Sequence, residues 1–307
     1  MSLKEIISKP DLLLRGHSAC PGCPSTIALR MALKALGEKT ILVIPASCSS
    51  VYQGVYPGVS FNVITYNVAF ASAAAVASGI KRALTKKGYT DVNVVAWGGD
   101  GGLVDIGLAT VSGAAERGED IIVICYDNEA YMNTGIQRSG ATPPGAWTTT
   151  TWAGKTEIKK PMPFILLDHG VRYVATTSVG YPIDIYNKVK KAASFRGEGL
   201  RYIHILAPDP PGWRFDSSLT IELGRLAVET GFWPLWEAEV IGGKIKFRLT
   251  PPSTTLIDPS KRVPLERFIE KQGRFRAMKE WHVEKLRQQM ELYWELVRAF
   301  LSLSSGE

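Results

Sequence analysis

"VNVVAWGGDGGLVDIG", residues 92–107, decides the fold. An unbroken β-branched, apolar run meets a turn of four glycines around Asp100 and passes directly into a helical pattern. Such uninterrupted strands belong to a parallel sheet buried on both faces. Glycines at the strand-to-helix turn let backbone come close to an anion at a helix N-terminus. Working outward, similar runs predict strands at 40–44, 61–66, 121–127, 171–179 and 201–206. Helical patterns separate them at 25–36, closed by Gly37, at 70–86, at 103–117, closed by Gly118, and at 183–195. This alternation predicts an α/β chain with an open doubly wound parallel sheet.

The 307 residues, 45% hydrophobic with 29 glycines, suit an enzyme-like core and exclude disorder. No run approaches the roughly 20 apolar residues of a membrane span, and no leader follows "MSLKEIISK", so a cytoplasmic protein is expected. The net charge is +7, yet Lys and Arg are scattered, without an aromatic-interleaved basic stripe before the C-terminal region. That argues against nucleic acid and leaves an acidic protein partner or a phosphorylated cofactor. Four cysteines in a chain of this length make no disulfide framework; paired cysteines in a reducing compartment bind metal or do redox chemistry.

In doubly wound sheets, ligands bind beyond the carboxyl ends of the strands. The residues placed there are Cys48, Asn67, Gly99-Asp100-Gly101, Asn128, Thr176 and Thr177, and Asp209. Residues 128–162 form a long Gly-, Pro- and Thr-rich segment without periodicity, the mark of a functional loop. After Trp213 come an amphipathic helix near 219–230, a hairpin in "EAEVIGGKIKFRLT" with Gly242-Gly243 at its turn, and a charged, aromatic helix over 277–303. This predicts a ligand-binding domain over 1–215 and, over 216–307, a C-terminal hairpin and helical arm that packs on partner subunits.

Between Gly101 and Asn128 lie 26 residues, and GDG followed at that distance by Asn resembles the thiamine diphosphate signature. Gly99 and Gly101 would line the diphosphate, Asp100 would ligate its magnesium, and the next strand would deliver Asn128 and the Ala130 carbonyl to the same ion. No G-x-x-x-x-G-K-[ST] and no G-x-G-x-x-G after a strand supports a nucleotide instead.

"GHSACPGC", "PASCSSVY", "GGDGGLVDIGL", "YDNEAYMNTGIQRS" and "PPGWR" together resemble the β subunit of the 2-oxoacid:ferredoxin oxidoreductases, the pyruvate and 2-oxoisovalerate branches above all, over residues 15–280. The resemblance implies a thiamine diphosphate-binding fold, with thiamine diphosphate, Mg2+ and one [4Fe–4S] cluster on this chain. The activity implied is oxidative decarboxylation of a 2-oxoacid, with acyl transfer to coenzyme A and electrons passed singly to ferredoxin. It places Asn133 near the thiazolium and substrate, Thr134 at the diphosphate, and Cys48 and Ser49 beside the cofactor. The glutamate that activates the aminopyrimidine has no candidate here. In the family it sits on the α subunit, so the chain is expected to be inactive without α, alongside γ and δ subunits.

Cys125, inside a buried strand, reads as core. Cys20 and Cys23 with Cys48 at a strand end suit a cluster or zinc, and the resemblance makes it iron–sulfur. Relatives place the last cluster cysteine before a P-x-G-W stretch, where this chain reads "APDPPGW", so Asp209 is the expected fourth ligand. A water, a partner residue or a three-iron cluster are the alternatives. His17 is expected beside the cluster, while His169, His204 and His282 cap, pack or face solvent; Trp147 and Trp152 read as lid or interface residues. A non-catalytic zinc-binding structural subunit is the rival from another class. Pyruvate, a branched 2-oxoacid and oxalate, the last without coenzyme A, remain open as substrates.

Overall fold

The computed structural model describes residues 3–305. Eight strands form one sheet: β1 Thr40–Pro45, β2 Ile64–Val68, β3 Asn93–Gly99, β4 Ile122–Asp127, β5 Tyr173–Ser178, β6 Arg201–Leu206, β7 Trp236–Ile241 and β8 Lys244–Leu249. Their order is β2-β1-β3-β4-β6-β5-β7-β8. The first six strands in that order are parallel, and the β7–β8 hairpin adds antiparallel to β5.

Alternate residues of each strand feed separate cores, as a period of two requires. Val94, Ala96, Val123 and Cys125 pack with the helices Ala73–Lys86 and Leu108–Glu116. Val95, Trp97, Ile122 and Ile124 face the other way, against Pro24–Leu36 and Pro182–Ser194. Cys125 is thus a core residue of β4, as its strand position implies.

Two of the boundaries that differ from the sequence reading have a visible cause. The second strand begins at Ile64 rather than at Phe61, because Phe61 is buried beneath Tyr52 before the chain enters the sheet. The helix after the glycine turn begins with one wide turn, Gly101–Asp105, closed by Ile106 N–H to the Gly101 carbonyl at 3.0 Å, and becomes regular only at Leu108. At Gly107 a Cβ would lie 1.9 Å from the Gly102 carbonyl oxygen, so the wide turn needs glycine there.

The segment 216–307 is less of a separate arm than its thin composition suggests. Its hairpin extends the main sheet, and Leu286, Trp294 and Val297 of the helix Glu280–Ser305 are buried in the same core as β3 and β4. The helix covers β8, where Ser304 Oγ accepts the Phe247 N–H at 3.0 Å. The other edge of the sheet is open: Ile64 and Tyr66 of β2 stand 68% and 57% exposed.

Candidate functional site

The strand order reverses between β1 and β3, which both border the crevice where such sheets bind ligands. Ser47 and Cys48 leave β1 there, Gly99 and Asp100 leave β3, and Asn128 leaves β4; all but Asp100 line one cavity, with Asp100 buried behind it. A Cβ on Gly101 would lie 2.6 Å from the Tyr131 ring, so this glycine admits the loop that follows β4. A Cβ on Gly99 would meet only Tyr126, at 3.4 Å. Protein packing does not demand glycine at 99, where the missing side chain leaves the cavity open.

Asp100 is fully buried. One carboxylate oxygen accepts the Ser139 hydroxyl, and the other faces the Asn128 side chain. The Asn128 amide oxygen lies 2.9 Å from Asp100 Oδ1 and 2.9 Å from the Ala130 carbonyl oxygen. Turned over, the amide would donate to both and satisfy the group without an ion; as placed, three acceptors face one another, an arrangement that a bound cation would favour. An octahedral magnesium holds oxygens at about 2.1 Å, which puts neighbouring ligands about 2.9 Å apart. The three oxygens fit that ion. Burial drives the Asp100 carboxyl well above the usual carboxylate range, and nearby Asp127 adds to it, against the Ser139 hydroxyl and Lys159. The cavity in front of this group is about 20 Å3, room for about one water. Phe70, Met132 and Asn133 line its outward side.

A second cavity of about 380 Å3 adjoins the first, and Cys20, Cys23, Cys48 and Asp209 all line it. Cys48, Met132 and Asn133 line both, so they form the wall between the two. All three cysteines are free thiols. Burial raises the Cys48 thiol, and Asp209, Cys23 and Cys20 raise it further; the Asn133 peptide N–H opposes them. Cys23 is likewise raised by burial, with Ser25 Oγ 3.1 Å from its sulfur. Asp209 is pushed up to about 6 by burial, against the N–H of Gly212. Its Oδ1 accepts that N–H at 3.0 Å and caps the short helix Pro210–Trp213, leaving the second carboxylate oxygen for a ligand role. These donors ring a cavity rather than converge: among the described residues no three His, Cys, Asp or Glu side chains close round one ion, as tetrahedral zinc requires.

Other expected residues fall elsewhere. Thr134 is exposed and its hydroxyl donates to Gln137 Oε1 at 2.6 Å, away from both cavities. Ser49 is buried behind the wall, bonded to Trp97 Nε1 at 2.9 Å, Tyr52 OH at 2.9 Å and Tyr126 OH at 3.1 Å. His169 meets Ser112 and His204 meets Asp127, while His282 caps the N–H of Lys279. Trp152 is exposed, and Trp147 stacks under the Arg214 guanidinium. The sequence reading missed Ser47, which is buried and lines the first cavity beside Tyr126. Its place directly after β1, at the reversal of strand order, was the available signal.

A doubly wound parallel sheet that gathers Asp100, Asn128 and the Ala130 carbonyl at its switch point is a ligand-binding architecture. The family model "Thiamine pyrophosphate enzyme, C-terminal TPP binding domain" matches residues 46–205. Pyruvate synthase subunit PorB of Methanothermobacter marburgensis is 47% identical over 290 residues, 93% of this chain and 96% of the relative. Ketoisovalerate oxidoreductase subunit VorB of Pyrococcus abyssi is 45% identical, over 92% of this chain and 91% of the relative. Among solved structures, a 2-oxoglutarate:ferredoxin oxidoreductase from Magnetococcus marinus, with 2-oxoglutarate, coenzyme A and succinyl-CoA bound, superposes with a TM-score of 0.54 at 25% identity, covering 67% of this chain and 76% of that one. The chain belongs to the family of 2-oxoacid:ferredoxin oxidoreductase β subunits, enzymes built from several different subunits. Among the described residues no helix is long and apolar enough to cross a membrane.

Proposed function

We propose that this chain carries thiamine diphosphate, Mg2+ and a [4Fe–4S] cluster in an enzyme that oxidatively decarboxylates pyruvate or a branched-chain 2-oxoacid to acyl-CoA and CO2. The observation that carries this reading is the three-oxygen group separated from the four-donor cavity by one wall of side chains. When bound, thiamine diphosphate supplies the carbon nucleophile for the 2-oxoacid carbonyl, and the cluster accepts electrons one at a time. Asp100, Asn128 and the Ala130 carbonyl would hold the magnesium. Gly99 would leave space for the diphosphate, Gly101 gives way to Tyr131 of the loop that follows β4, and the Ser47 hydroxyl lines the same cavity. Cys20, Cys23, Cys48 and Asp209 would hold the cluster from around the second cavity. Asn133 sits in the shared wall and orients the reacting end of the substrate, while its peptide N–H steadies the Cys48 sulfur.

No glutamate lines either cavity among the described residues, which supports an α subunit as donor of the group that activates the aminopyrimidine. The exposed Val51, Val55 and Tyr56, beside Cys48 and the open edge of β2, suit a subunit interface. Trp281, Leu292 and Leu303 on the outer face of the last helix offer a second contact for further subunits, γ and δ. Ferredoxin is the expected electron acceptor, and the compartment the cytoplasm. The test is to co-purify the native complex and follow viologen reduction with pyruvate, 2-oxoisovalerate, 2-oxoglutarate and oxalate, with and without coenzyme A. Coenzyme A-dependent reduction with pyruvate or 2-oxoisovalerate is expected. A colourless, zinc-containing complex without activity would overturn the proposal, and coenzyme A-independent oxidation of oxalate would reassign the substrate.

A further inference from the structure

Glu129 lies between the two magnesium ligands supplied by the loop after β4, and its backbone is left-handed, with φ of 63°. An ordinary side chain avoids that region unless its surroundings enforce it. Here they do. Its N–H donates to Asp127 Oδ1 at 2.9 Å, and its carbonyl accepts the Thr142 hydroxyl at 2.6 Å. Its carboxylate, 1% exposed, takes Lys159 Nζ on Oε1 at 2.7 Å and Arg274 Nη1 on Oε2 at 2.6 Å. Lys159 also reaches Asp127 Oδ2 at 3.1 Å, and Arg274 stacks 3.4 Å over the Trp213 ring, whose Nε1–H holds the Asn128 carbonyl at 2.8 Å.

We infer that Glu129, Lys159 and Arg274 form a clamp that positions the magnesium ligands, forcing the left-handed turn that aims Asn128 and the Ala130 carbonyl at Asp100. The inference rests on the magnesium reading above. None of the three touches the proposed ion; they act through the backbone on either side of Glu129. The clamp explains two features of the sequence. The long segment after β4 ends by returning Lys159 beneath its own start. The C-terminal segment contributes Arg274 from the loop before its last helix, so it is part of the site's support. Asp127 and Glu129 are paired with Lys159 and Arg274, so neither carboxylate in the floor under Asp100 is left bare.

The experiment measures thiamine diphosphate binding to the purified complex as Mg2+ is raised, for the parent, Glu129→Gln and Arg274→Lys. Glu129→Gln should need at least about tenfold more Mg2+ for half-maximal binding, with binding restored once Mg2+ is saturating. Arg274→Lys keeps the charge but loses reach and stacking, and should need several-fold more. A merely structural role would not produce a defect that the metal alone repairs. Parental Mg2+ demand in either variant overturns the clamp, as does a binding defect that saturating Mg2+ leaves in place. Failure of both variants to assemble would assign the three residues to folding and likewise overturn it. A parent complex that binds no thiamine diphosphate in excess Mg2+ would instead sink the cofactor reading.

Discussion

The oxygen group of Asp100, Asn128 and Ala130 and the thiol cavity of Cys20, Cys23, Cys48 and Asp209 share a wall, yet they are held in different ways. The oxygens sit on adjoining strand ends, 2.9 Å apart, over a floor of buried ion pairs. The thiol donors come from three separate stretches of chain around about 380 Å3, and Cys20 is exposed. Preorganisation of the first kind lets a protein select a small hard ion by geometry. The second kind depends on the incoming group to complete it, so cluster loss should loosen its surroundings more than magnesium loss does.

Four substitutions probe this contrast. Asp100→Ala removes the one carboxylate in the oxygen group. The co-purified complex should then lose both Mg2+ and thiamine diphosphate, with turnover down by at least about a thousandfold; metal and cofactor analysis showing parental content would break the assignment. Asn133→Ala acts in the wall instead. Cofactor content should stay parental while kcat falls roughly ten- to a hundredfold, and unchanged kinetics with every 2-oxoacid would remove Asn133 from the site.

Asp209→Cys tests the looser cavity. Thiolate is a softer ligand for iron than carboxylate, so the variant's cluster should lose iron several-fold more slowly in air and show a changed potential in an EPR-monitored redox titration. Parental iron loss and potential would leave Asp209 as a helix cap only. The smallest effect concerns Lys155, whose ammonium donates to the Thr142 carbonyl at 2.6 Å beneath the oxygen group. Burial, followed by Arg138 and Lys159, lowers it from 10.5 to about 8, against Glu157 and Glu129. A cation lowered in this way weighs against the fold at neutral pH and is relieved as pH climbs from 8 to 10.5. Denaturant unfolding at pH 7 and pH 10 should therefore shift in favour of the parent over Lys155→Met, by about 2 kcal/mol. A pH-independent difference would show that the ammonium is well solvated.

The sheet was legible because its strands are continuous apolar runs: β6 occupies 201–206 as read, and β1 ends one residue later than read. The oxygen group was legible for the same reason, since strand ends fix where Asp100 and Asn128 stand. Thr134 and Ser49 were less so. Both sit next to residues that line the cavities, and no periodic signal says which way a side chain turns in a loop or a one-turn helix. Ser49 turns inward because Trp97, Tyr52 and Tyr126 offer it three partners. Glu129 was invisible as a positioning residue, because its two cations lie 30 and 145 residues away along the chain. The C-terminal segment looked too thin for its own core, which is true; it completes the core of the main sheet.

One edge of that sheet is sealed by the last helix and the other is not. Among the described residues no strand pairs with the outer edge of β2, which turns Ile64 and Tyr66 to water, with Val55 and Tyr56 close by in sequence, 84% and 90% exposed. An unpaired strand edge beside bare apolar side chains is a template for self-association. Produced without its companion subunits, the chain should therefore cluster with itself. Light scattering on the isolated chain should report particles that grow with concentration, and co-expression with the other subunits should suppress them. A monodisperse isolated chain would show that the bare edge is tolerated.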